Sequence, residues 1–98
     1  MVGDAQQDIY LERNSNRDVA DQIWATARRL GYQDQFRSVP KWSMLDDHTP
    51  FLERGLRAVD IIDFDYPHWH RASDTPDKVS ADSLGRVGRT LQAWLEGR

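Results

Sequence analysis

Between Ser15 and Gly31 the apolar residues Val19, Ala20, Ile23, Trp24, Ala27 and Leu30 recur at intervals of three and four, the spacing that gathers side chains on one helix face. Ser15 with Asp18 three positions later forms a capping arrangement. Arg28 and Arg29 suit the negative C-terminal end of that helix, and Gly31 stands where a left-handed cap ends one. A second helix is predicted from about Ala81 to Leu95 behind Ser80, with a stripe of Leu84, Val87, Leu91, Trp94 and Leu95. Gly85 and Gly88 each weaken it by about 1 kcal/mol relative to Ala, which implies close packing at those positions. Thr49 and Pro50 open a short helix of about two turns that Gly55 closes.

The remaining apolar runs read as strands. "DIYLE", 8 to 12, ends in the turn signal "RNSN". "AVDIIDF", 58 to 64, is apolar at positions of both parities, the pattern of a strand buried inside a sheet. Residues 32 to 47 read as a long loop with room for one short strand, and 65 to 79 as a second loop. Strand, helix, loop, short helix, strand, loop and helix in that order predict an α/β fold, with few and mostly parallel strands, two longer helices and one short helix. In such sheets ligands bind beyond the carboxyl ends of the strands, where "YPHWH", 66 to 70, follows the strongest strand.

Composition narrows the picture. The 98 residues carry 13 Lys and Arg against 16 Asp and Glu, mixed along the chain, so no basic face marks a nucleic-acid partner. One small domain, 1–98, is expected, with no internal repeat or linker. Its mean hydropathy of -0.76 allows only a modest core, to which four Trp, three Tyr and three Phe contribute heavily. The absence of cysteine excludes disulfides, thiolate metal sites and cysteine nucleophiles. No apolar run is long enough to span a membrane and none has the form of an export signal, which fits a cytoplasmic chain.

Chemistry concentrates in "DFDYPHWHRASDTPDKVS", 63 to 80. In an extended segment His68 and His70 would lie on one side, and imidazole is a zinc ligand, but a catalytic zinc typically has three protein ligands and a water. "DDH", Asp46 to His48, offers further donors. The pattern equally suits a surface His68, a packed and hydrogen-bonded His70, and Trp69 in the core. Asp74 can cap the turn at Thr75 and Pro76, leaving Asp77 and Lys78 solvated. Asp46 and Asp47 are favourably placed before a helix whatever else they do.

Taken together, "DDHTPFLERG", the apolar strand, "WH" and "DTPD" resemble the C-terminal part of the zinc-dependent aminopeptidase and glutaminyl cyclase family, and the likeness extends back to "MVGD", Met1 to Asp4. The resemblance implies a partial three-layer α/β/α sandwich. It also implies one zinc ligand, His70, a substrate-pocket aromatic, Trp69, and an acid of the hydrogen-bonded network beside the metal, Asp46, with Asp47 the alternative. His68 receives no role. The family's other ligands and its general-base glutamate lie upstream of the matched segment, and Met1 follows directly on the position of an active-site acid. Arg57 replaces a common Pro, and Arg71 replaces a usual small Thr, placing a cation beside His70 that disfavours a metal.

The expectation is therefore a chain inactive by itself, acting on peptides only when the missing part is supplied. The alternative is a noncatalytic module derived from that fold. An opened sheet edge and uncovered helix faces would drive it to a homo-oligomer.

Overall fold

The computed structural model describes residues 2–43, 46–63, 75, 77 and 80–97. Strand β1, Ile9–Glu12, buries Ile9, Leu11 and Glu12, so it is inner rather than half-solvated. It pairs in parallel with β2, Phe36–Trp42, with Ile9 opposite Phe36 and Tyr10 opposite Arg37. Beyond Tyr10 the register slips, so that Leu11 faces Pro40 and Glu12 faces Trp42. Pro40 has no N–H to give a ladder, and an irregularity is where a strand accommodates it.

The connection between the strands is α1, Arg17–Arg29. Its cap is Asn16, whose Oδ1 accepts from the Val19 N–H at 3.0 Å, and not Ser15 as the spacing suggested. The hydroxyl of Ser15 is engaged elsewhere, donating to Glu12 and accepting from the Asp60 N–H. Ala20, Ile23, Trp24 and Ala27 form the buried face. Trp24 meets Phe36 edge-on at 5.2 Å and donates from Nε1 to the Arg37 carbonyl at 3.0 Å. Gly31 ends the helix at φ +87°, as expected of a left-handed cap.

Helix α2, Thr49–Glu53, has Pro at its start and is followed by Gly55 at φ +76°. Helix α3, Ala81–Glu96, begins behind Ser80, whose Oγ accepts from the Ser83 N–H. The buried face of α3 differs from the expected stripe. Ser83, Val87 and Thr90 are buried, Leu91 and Trp94 are packed partly against the core, and Leu84 and Leu95 are exposed. Polar side chains fit inside because they are satisfied: the Thr90 hydroxyl donates to the Arg86 carbonyl at 2.7 Å, and the Ser83 hydroxyl accepts from the Arg86 guanidinium at 3.0 Å.

The two helix glycines do not mark close packing. Nothing lies within 4 Å of where a Cβ on Gly88 would stand, and at Gly85 the nearest group is the flexible guanidinium of Arg89. The tight approach is at Gly3, where a Cβ would lie 2.8 Å from Leu84 Cδ2.

The larger correction concerns the strands that follow α1. The stretch read as a long loop with room for one short strand holds the seven-residue β2; only Phe36 in it is fully buried, so its composition is that of a solvated edge. Residues 58–63, read as the best strand, join no ladder among the described residues. Their backbone makes isolated bonds instead. The Ala58 carbonyl accepts from the Asn16 N–H at 2.7 Å, and the Asp60 N–H donates to Ser15 Oγ at 2.8 Å. Asp63 meets the Asp8 N–H at 3.1 Å. The segment thus runs against the direction of β1, with Ile62 buried and Val59 and Ile61 packed on the core. Phe64, at its end, falls outside the described residues. The architecture is α/β: among the described residues there are two parallel strands, two longer helices and one short helix.

Candidate functional site

Three segments converge at the C-terminal end of β1. The strand delivers Glu12, the residue before α2 is His48, and the extended segment brings Asp60. His48 Nε2 lies 2.7 Å from Glu12 Oε1, with both side chains almost fully buried, at 4% and 0% exposure. Glu12 is further held by the Ser15 hydroxyl on Oε1 at 2.9 Å and the Asn14 N–H on Oε2 at 2.8 Å. Its oxygens are therefore satisfied, as a buried carboxylate requires. On the opposite side of the imidazole, Nδ1 lies 3.8 Å from Asp60 Oδ2. Neither of those two buried atoms has a hydrogen-bond partner among the described residues.

Asp46 completes the group from the solvent side, its carboxyl in a side-chain hydrogen bond with Asp60. Burial, followed by the charge and hydrogen bond of Asp46, pushes the Asp60 carboxyl up to about 6, while His48 pulls it down. Asp46 is exposed and anchored by its backbone, its N–H donating to Thr49 Oγ1 and its carbonyl accepting from the Thr49 N–H. Glu12, His48 and Asp60 bring one ligand atom each within 4.8 Å of the others, close enough to surround an ion.

A second acidic group flanks the start of β1. Asp63 is completely buried; its Oδ2 accepts from the Asp8 N–H, Oδ1 has no partner among the described residues, and Asp4 shares a side-chain hydrogen bond with it. Burial is the main cause that pushes its carboxyl up to about 7, partly offset by the Asp8 N–H and reinforced by Asp4. Asp8 itself is turned outward in an ion pair with Arg37 at 2.8 Å.

Of the residues singled out from sequence, Asp46 lies in the Glu12–His48–Asp60 cluster. His68, Trp69, His70, Arg71 and Asp74 fall outside the described residues. Thr75 and Asp77 are exposed and hydrogen-bonded to each other, the solvated turn expected for Asp77. His48 stood among the candidate donors, whereas Glu12 and Asp60 did not. Their signal was present: Glu12 closes the apolar run "DIYLE", and Asp60 and Asp63 interrupt "AVDIIDF". Carboxylates inside apolar runs are rarely buried without partners.

Residues 1–95 match Peptidase family M28. The glutaminyl-peptide cyclotransferase of Bothrops jararaca is 27% identical over 86 residues, covering 87% of this chain and 22% of the relative. Among solved structures, the glutaminyl cyclase of Porphyromonas gingivalis superposes with a TM-score of 0.91 at 28% identity, covering 99% of this chain and 39% of that one. A Zn-dependent exopeptidase from Parabacteroides distasonis gives a TM-score of 0.93 over 100% of this chain and 37% of its own, at 24% identity, a likeness of fold. The present chain thus spans about two-fifths or less of these relatives. The family match runs through nearly the whole of the chain, and the chain belongs to Peptidase family M28.

Proposed function

We propose that this chain supplies the C-terminal part of a zinc-dependent aminopeptidase or glutaminyl cyclase site and is inactive by itself. The observation that carries this reading is the match through residues 1–95 to a family whose relatives here include glutaminyl cyclases and a Zn-dependent exopeptidase. In this reading His70 ligates zinc, Trp69 lines the substrate pocket and Asp46 belongs to the acid network. Zinc, when bound, polarises a carbonyl and lowers the pKa of water. Asp46 is suited to moving a proton at the surface of such a site, since its carboxyl is exposed while Asp60 behind it is held in place by the Ser15 hydroxyl. One imidazole does not make a catalytic zinc site, which takes three protein ligands and an open position. Activity therefore requires the ligands and base that the family carries upstream.

The test is co-expression with the N-terminal portion of a cyclase of this family, followed by assays of N-terminal glutamine cyclisation and aminopeptidase release with zinc present. Activity from the pair, absent from each part and lost in His70→Ala, supports the reading. Turnover by the 98-residue chain alone overturns its inactivity.

A second reading, a self-associating noncatalytic module, is favoured by exposed Val39, Phe51, Leu56, Leu84 and Leu95 and by the unladdered backbone of residues 58–63. It predicts a homo-oligomer in sedimentation at micromolar concentration. A folded monomer there would refute it.

A further inference from the structure

His48 Nδ1 and Asp60 Oδ2 are buried electron-pair donors 3.8 Å apart at the C-terminal end of β1, neither with a hydrogen-bond partner among the described residues, and Asp46 adjoins Asp60 from the solvent side. From this we infer that His48, Asp60 and Asp46 form a binding site for a divalent transition cation of the zinc type, built from residues other than His70.

The buried imidazole fixes the argument. Its Nε2 is committed to Glu12 at 2.7 Å, which places the ring proton on Nε2 and leaves the Nδ1 lone pair directed at Asp60. A carboxylate holding the far nitrogen of a ligating histidine is the usual outer partner in metal sites, setting both tautomer and ring orientation. Glu12 is accordingly the positioning residue and not a ligand: its oxygens are occupied by the Ser15 hydroxyl, the Asn14 N–H and the ring. On the other side, Nδ1 and Asp60 Oδ2 stand 3.8 Å apart, both buried and unpartnered. Two ligands of a tetrahedral zinc lie roughly 3.3 Å from each other, so a closure of about half an ångström seats the ion. Exposed Asp46 supplies the third donor and the path from solvent. Imidazole with carboxylates suits zinc, cobalt or nickel better than calcium or magnesium, which prefer all-oxygen cages.

A cation here also bears on the proposed function, on which its existence does not depend. It would occupy the face of Asp46 turned to Asp60 and withdraw that acid from proton transfer, so the site would act as a brake on catalysis in the assembled enzyme.

The test titrates zinc into the 98-residue chain carrying His68→Ala and His70→Ala, which removes the proposed catalytic ligand His70 together with its neighbour His68. Saturable uptake of one zinc per chain is expected, with the 15N resonance of His48 Nδ1 shifting much more than that of Nε2. Asp60→Asn should weaken binding at least tenfold, and Glu12→Gln by about 10- to 100-fold. Asp46→Asn, at an exposed position, leaves the core intact and should also weaken binding, which keeps the test decisive if a buried variant misfolds. The inference is overturned if the His68/His70 variant takes up no zinc, or if its uptake survives Asp46→Asn and Asp60→Asn unchanged. Loss of activity in the complementation assay with this titration intact would sink the proposed function alone.

Discussion

Replacing Asp63 by Asn should remove a cost to stability that grows as pH rises from about 4 to about 7 and levels off above that. Asp63 is fully buried, and its carboxyl keeps its proton up to about pH 7 instead of the ordinary 3.8. The folded chain therefore binds more protons than the unfolded chain between those two values. The contribution of this group to stability is fully present below pH 3.8 and is lost as pH rises through the window towards 7. The full gap is equivalent to about 4 kcal/mol at the outside. Because Asp4 shares the proton and polar neighbours relax around the charge, about half of that is the realistic change. Asn keeps the shape, can accept from the Asp8 N–H, and can donate to Asp4 without ionising. Urea unfolding of both proteins at pH 5 and pH 8 reads the effect: the advantage of Asp63→Asn should increase by about 1–2 kcal/mol between the two. A pH-independent difference, or one that favours the parent more at pH 8, would refute the idea that this carboxyl is buried protonated.

Three further outcomes follow from the packing. Asn16→Ala should lose about 1 kcal/mol through the missing α1 cap, whereas Ser15→Ala should lose about 1–3 kcal/mol because buried Glu12 and the Asp60 N–H both lose a partner; equal small losses in urea melts would contradict this division of labour. Trp24→Ala should cost about 3–5 kcal/mol and unfold the chain at ambient temperature or near it, seen as loss of near-ultraviolet dichroism; a mild effect would mean Trp24 is not a core anchor. Gly88→Ala should raise stability by about 0.5–1 kcal/mol, since a helix interior gains from Ala and nothing stands within 4 Å of the new methyl; a fall in the melting temperature would restore the close-packing interpretation.

The helices were legible because each carries its own information. Period, cap and terminal glycine lie within a dozen residues, and Gly31, Gly55 and Ser80 act where local geometry requires. Strands depend on partners, and there the reading failed in an informative way. β2 is polar because just one of its side chains faces the core, and nothing in "FRSVPKW" signals pairing with β1. Residues 58–63 have the composition of an inner strand, yet their hydrogen bonds go to a turn and to side chains. Asp46 and His48 stood out through the adjacent "DDH", while Glu12 and Asp60 reach the same point from sites 48 residues apart in sequence. Only the fold could bring those two together.

Gln7 joins the two ends of the chain. Its amide donates to the Val2 and Ser83 carbonyls, and its oxygen accepts from Arg86. Because Gln7 and Ser83 are 76 positions apart, this clasp closes nearly the whole chain into a ring, and loop closure must be achieved before its bonds can form. The residues around Gln7 therefore cannot complete this clasp until α3 has formed. β1 thus waits on α3 for its final anchorage.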